Sequence, residues 1–231
     1  MDFYYLLLGH LLGDFTFQTN KIAENKSRNL KWILLHTLIV TSIMLIISIP
    51  FGSRLMFLVL LNGIAHFLID YYKSLINAKK SVLSFIYFLI DQTLHLLMIY
   101  IISLINVDEY STLPFDKRTI IILITLVFII SFSAVFIQYF LKVFFPKNSN
   151  NFFTNNERAI GNIIRILTFI ICYLSFNYLP AILFLLPLLV LTTWQLYQKN
   201  WKKWMTKSYF YTKIILDIGM ALIGLSFVLS I

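Results

Sequence analysis

The sequence predicts an all-α, polytopic transmembrane helix bundle of about eight spans, and three observations predict it. Apolar residues make up 59% of the 231-residue chain and mean hydropathy is +0.82, whereas a soluble domain is about 45–50% apolar. Apolar runs long enough to cross a hydrocarbon core as helices recur along the whole chain. Between them, basic residues gather in every second connection.

The runs cover about residues 3–18, 31–50, 55–76, 82–105, 119–141, 159–178, 180–198 and 209–230. The first is short and reads as a half-span or a tilted helix. Lys21, Lys26, Arg28 and Lys31 fill the first connection, and Lys73, Lys79 and Lys80 flank the third. Lys142, Lys147 and Arg158 flank the fifth, and Lys199, Lys202, Lys203 and Lys207 fill the seventh. The alternate connections hold only Arg54, Lys117 and Arg118, so 14 basic residues face 3. The positive-inside rule then puts both termini outside and the basic loops in the cytoplasm. The net charge of +9 therefore reads as a topology signal and a partner for anionic lipid headgroups, with no nucleic acid implied.

The single cysteine, Cys172, excludes an intrachain disulfide framework and a Cys-based zinc site. The N-terminus lacks a basic n-region, so no cleavable leader is expected. The Asn-rich segment Pro146 to Glu157 reads as a break between two four-helix groups of spans, and the domains are taken as 1–106, an external loop 107–118, and 119–231. Trp194, Tyr197, Trp201 and Trp204 share one helical face beside lysines, which reads as a helix end in the membrane interface.

The polar residues inside the runs carry the functional signal. His10 and Asp14 lie in the first run, His36 in the second, His66, Asp70 and Lys73 in the third, and Asp91 and His95 in the fourth. These are all four histidines of the chain. Three sit four residues from an aspartate, on one helical face. By composition alone that coincidence arises about once in 400 sequences. The pair order reverses in the fourth run, where the chain direction also reverses. Histidines and aspartates thus form two layers about 6 Å apart, the aspartates nearer the cytoplasm, with His36 at the aspartate level. Polar pairs that merely glue helices together contribute about 0.6–2 kcal/mol each, a small return for seven ionisable groups at similar depth.

Imidazole and carboxylate are ligands for Zn²⁺, or for Mn²⁺ or Fe²⁺ in a more open site. The candidate metal ligands are His10, Asp14, His36, His66, Asp70, Asp91 and His95, enough for two ions with a bridging carboxylate. Asp14, Asp70 and Asp91 are also candidates for catalysis, with Lys73 or Arg165 to hold a phosphate. Gln18, Asn62 and Gln92 border the set. Arg165, two turns inside the sixth run, either snorkels to the headgroups or binds a lipid phosphate. Lys213 and Asp217 are i, i+4 partners that neutralise each other. No Gly-rich phosphate loop, Ser nucleophile elbow or HExxH is present.

His10-Leu-Leu-Gly-Asp14-Phe-x-x-Gln18 with Lys26, then His36, His66-x-x-x-Asp70-x-x-Lys73 and Asp91-Gln92-x-x-His95, resembles a family of bacterial membrane proteins called domain of unknown function 3307. Glu157-Arg158-x-Ile-Gly-x-x-x-Arg165 looks like a second pattern of that family. The resemblance implies a bacterial inner membrane location and brings no activity. A looser likeness of ligand spacing to zinc-dependent phospholipases C and single-strand nucleases carries no residue role. The expectation is a metal-dependent hydrolase or transferase acting on a lipid or isoprenoid phosphate at the cytoplasmic leaflet. The alternatives are a proton- or cation-coupled transporter and a non-catalytic membrane scaffold. Outward of the histidines, Leu55 to Leu61 has no polar residue and Leu96 to Ile105 only Tyr100 and Ser103. A site opening to the cytoplasmic headgroups, closed above, fits that better than a two-sided channel.

Overall fold

Backbone amides in lipid must be satisfied within their own segment or within a closed barrel, and this chain does so with helices. The computed structural model describes residues 2–26, 29–76, 81–105, 113–146, 155–177 and 206–230; every regular element among them is helical. The chain forms two compact units, residues 1–127 and 128–231.

The N-terminal unit begins with α1 (Asp2–Leu11), which runs into a π-helical turn at Leu12–Thr16. A short α2 (Asn20–Lys26) follows. Then α3 (Leu30–Ser48) and α4 (Gly52–Leu75) fold back on each other around a single 3₁₀ turn, Ile49–Phe51. The turn carries Pro50 and ends at Gly52, whose φ of 82° is open only to glycine at little cost. Asn29 caps α3 by accepting from the Lys31 amide at 3.0 Å. Next come α5 (Ser81–Ser103) and α6 (Lys117–Val127). Asp116 caps α6 through the Thr119 amide at 3.0 Å, and that bonding holds its carboxyl below the usual range. Tyr5 ties α1 to the approach of α6: its hydroxyl donates to the Phe115 carbonyl at 2.8 Å and accepts from the Phe115 amide at 3.0 Å.

Packing in this unit depends on small residues, as membrane helices do. A Cβ on Gly13 would lie 2.8 Å from the Val40 Cα, and one on Gly63 would lie 2.5 Å from the Thr41 Oγ1. Both close approaches press a site-bearing helix against α3. Leu6, Phe51, Leu55, Val59 and Ile99 are fully buried between the helices. Leu38, Ile46, Phe57, Ile64 and Leu104 are exposed, an apolar exterior suited to acyl chains.

The C-terminal unit contains a second π-helical turn, Phe128–Phe132, followed by α7 (Ser133–Phe144), α8 (Asn155–Asn177) and α9 (Lys207–Leu229). Ile137, Leu141, Tyr209, Phe210 and Met220 form its core.

Four stretches among the described residues are long and apolar enough to cross a membrane: Leu30–Leu75, Ser81–Ser103, Lys117–Phe144 and Lys207–Leu229. This is a membrane protein, but the expected count of about eight spans is not reached. The first run becomes a 10-residue helix, about 15 Å long, interrupted by the π turn. The runs at 31–50 and 55–76 merge into one folded-back stretch. The sixth becomes α8, which is not among those four stretches. The run at 180–198, the aromatic face from Trp194 to Trp204 and most of the Asn-rich segment lie outside the described residues.

The glycine contacts give a direct test. Gly13→Ala forces the α3 backbone to move and should cost about 1–3 kcal/mol. Gly219→Ala, where a Cβ meets nothing within 4 Å, should be neutral or stabilising by up to about 1 kcal/mol. Thermal unfolding in detergent micelles compares the two.

Candidate functional site

The seven His and Asp residues of the N-terminal unit converge. His10 ends α1 and Asp14 lies in the π turn; α3 contributes His36, α4 His66 and Asp70, and α5 Asp91 and His95. None is more than 4% exposed. The turn matters for Asp14, because its wider winding closes with the Phe17 amide on the Leu12 carbonyl at 2.9 Å and alters the register between His10 and Asp14. π-bulges of this kind often occur at functional sites.

His36 is the hub. Its Nε2 lies 2.8 Å from Asp14 Oδ1, 3.3 Å from His66 Nε2 and 3.4 Å from Asp70 Oδ2. His66 Nε2 is in turn 3.6 Å from Asp70 Oδ2 and 4.0 Å from Asp14 Oδ1. Beside this group, His66 stacks on His95 at 4.1 Å between ring centroids, and the His10 ring stands 5.7 Å from His66 and 5.2 Å from His95. Three imidazoles thus pack together while His36 lies among the aspartates. His10 Nε2 is 4.0 Å from Asp14 Oδ2, and His95 Nε2 is 3.6 Å from Asp91 Oδ1.

Two lysines reach the cluster from more exposed positions. Lys73 donates to Asp91 Oδ2 at 2.6 Å, and Lys26 Nζ is 3.4 Å from both Asp70 oxygens. Their side chains are 27% and 17% exposed. Gln92 donates from one amide nitrogen to Asp14 Oδ2 at 2.9 Å and to Asp91 Oδ2 at 3.1 Å. Three carboxylates and two ammonium groups leave one net negative charge when the imidazoles are neutral. Among the described residues, Asp14 is the carboxylate with no lysine in ion-pair contact.

Sequence spacing located the His and Asp set but not the role of Lys26, which comes from α2 and has no periodic relation to Asp70. Nor did it reveal the π turn or the Gln92 clamp. Asn62, also on the bordering list, donates to Met44 Sδ at 3.6 Å. Gln18, at the end of the first motif, has a buried Oε1 without a hydrogen-bond partner.

Arg165 belongs to the C-terminal unit, where it is only 1% exposed, so it does not snorkel. Its guanidinium donates to Asp217, to the carbonyls of Ile129 and Ile130 in the second π turn, and to Asn162. Lys213 donates to the other Asp217 oxygen at 2.7 Å. The expected Lys213–Asp217 pair is therefore a triad. Gly161 leaves room for it, since a Cβ there would lie 2.8 Å from Lys213 Nζ.

Residues 3–124 match the family described as Protein of unknown function (DUF3307). The matched stretch contains every member of the His/Asp cluster, with Lys26, Lys73 and Gln92; the Glu157 to Arg165 segment lies beyond it. No curated protein and no solved structure matches the chain.

The triad is testable by itself. Asp217→Asn leaves two cations buried without their counter-charge and should lower stability by about 3–5 kcal/mol. Lys213→Met keeps the Arg165–Asp217 pair and should cost clearly less. Chemical denaturation of the two variants in detergent, read against wild type, measures the difference.

Proposed function

The chain belongs to the DUF3307 family, whose description assigns no activity, and from the site's geometry we propose a membrane-embedded, divalent-cation-dependent hydrolase of lipid-linked phosphate esters. The observation that carries this reading is the arrangement around His36. Asp14, His36 and His66 bring one ligand atom each within 4.8 Å of the other two, with separations of 2.8, 3.3 and 4.0 Å, and Asp70 Oδ2 lies beside them, 3.4 Å from His36 Nε2 and 3.6 Å from His66 Nε2. A tetrahedral cation with bonds of about 2.0–2.2 Å needs ligand separations of about 3.3–3.6 Å.

Hydrogen bonds alone serve this group poorly. His36 Nε2 faces three acceptor or nitrogen atoms and carries at most one proton. A buried carboxylate costs several kcal/mol unless paired, and Asp14 has only neutral hydrogen-bond partners when His36 is neutral. A divalent cation at the centre answers both problems and leaves the cluster with a net charge of +1, suited to an anionic phosphate. Zn²⁺ fits two imidazoles and two carboxylates best, with Mn²⁺ or Fe²⁺ accommodated by higher coordination.

In this reading Asp14, His36 and His66 would hold the cation, and Asp70, paired with Lys26, would take the proton of the attacking water. The cation supplies Lewis-acid activation of that water. The water oxygen bonds to phosphorus, the bond from phosphorus to the lipid oxygen breaks, and the proton passes from Asp70 to the departing alkoxide. Lys26 and Lys73, the half-buried cations at the margin of the site, would guide the phosphate in. Arg165, the other candidate phosphate ligand, is engaged by Asp217. The substrate is a phospholipid or isoprenoid phosphate presented at headgroup level. In this reading that level is the cytoplasmic leaflet of a bacterial inner membrane, with both termini outside, and the bias of basic residues towards every second connection supports that orientation. The folded-back Leu30–Leu75 stretch then makes two crossings, taking the count part of the way towards eight.

Purified wild-type protein should retain Zn²⁺ through dialysis, and His66→Ala should lose it. Turnover of a panel of phosphatidic acid and isoprenoid phosphates should fall at least about 100-fold in Asp70→Asn. The reading fails if wild type holds no metal while reconstituted protein carries protons or divalent cations across liposomes in a flux that Asp70→Asn stops. That result makes it a transporter.

A further inference from the structure

We infer that Gln92 sets which metal the site accepts, by holding Asp14 to a single ligating oxygen; the inference rests on the cation reading above. Gln92 and Asp14 are 9% and 3% exposed, so little water reaches the contact between them. The Gln92 side-chain nitrogen donates to Asp14 Oδ2 at 2.9 Å and to Asp91 Oδ2 at 3.1 Å. An amide nitrogen carries two hydrogens, and here each carboxylate receives one. The reverse orientation would turn the amide oxygen on two carboxylate oxygens, so the network itself fixes which way the amide faces.

The two oxygens of Asp14 are thereby made unlike. Oδ1 lies 2.8 Å from His36 Nε2 and 4.0 Å from His66 Nε2, on the side of the candidate cation ligands. Oδ2 is turned to Gln92. A carboxylate binds a cation through one oxygen or through both, and a hydrogen bond on Oδ2 favours one. The clamp is held from its far side as well: Lys73 donates to the same Asp91 oxygen at 2.6 Å. Gln92 acts through Asp14, so it is a positioning residue.

Metal choice follows from the number of ligands. Zn²⁺ is satisfied by four in a tetrahedron, whereas Mn²⁺ takes six, mostly oxygens. One oxygen of Asp14, the His36 and His66 imidazoles and one further position make four. Released from Gln92, Asp14 would offer both oxygens, and the seat would suit the ion of higher coordination. Loss of a partner that orients a metal ligand typically weakens binding about 10–100-fold. A purely structural role would weaken both metals alike, so the ratio of the two affinities is the discriminating quantity.

Purified full-length protein, stripped of metal, is titrated with Zn²⁺ and separately with Mn²⁺ against a competing chelator, as wild type and as Gln92→Met, which keeps the length and removes the donor. Zn²⁺ affinity should fall about 10–100-fold in the variant and Mn²⁺ affinity by no more than a few-fold, narrowing the preference for Zn²⁺ by at least about tenfold. Unchanged affinities, or a loss for Mn²⁺ as large as that for Zn²⁺, overturn the inference and leave the hydrolase reading standing. Wild type that binds neither metal defeats both. If Gln92→Met fails to fold, the zinc-edge absorption spectrum of wild type decides: four nearest ligands support the inference, and five or more, with a carboxylate bound through both oxygens, overturn it.

Discussion

Three carboxylates buried in one apolar helix bundle are the constraint on which the N-terminal unit turns. Each costs several kcal/mol to bury unless something positive meets it. Lys26 meets Asp70 and Lys73 meets Asp91, both from the more exposed margin of the unit. Asp14 is met by His36 and Gln92. The charge left over belongs to the residue at the junction of the site-bearing helices, where the proposed cation would sit.

The scaffold serves that junction. Gly13 and Gly63 let α1 and α4 approach α3 closely enough for His36 to reach Asp14, Asp70 and His66 together. The π turn at Leu12–Thr16 re-aims Asp14 within a segment too short to cross a bilayer unaided. The C-terminal unit solves its own version of the problem differently. There Asp217 carries two cations, and the π turn Phe128–Phe132 offers carbonyls to Arg165, so the group closes on itself.

The parts legible in the sequence are those with a period. Helical class followed from apolar runs, and the His/Asp convergence followed from i, i+4 spacing combined with the reversal of order at Asp91 and His95. Lys26 belongs to the family-like pattern, yet its pairing with Asp70 spans 44 residues and obeys no period. The π turn is a one-residue change of winding that residue types do not announce. Arg165 looked like a headgroup ligand because its partner Asp217 is 52 residues away. The span count fell short at α1 because that apolar run is interrupted by the π turn.

X-ray absorption at the zinc edge on the purified, Zn²⁺-loaded protein tests the central claim most directly. The account predicts nitrogen and oxygen ligands at about 2.0–2.2 Å, with the outer-shell scattering of at least two imidazoles that diminishes in His36→Ala. Zinc bound without imidazole scattering, or a spectrum that His36→Ala leaves unchanged, would contradict it.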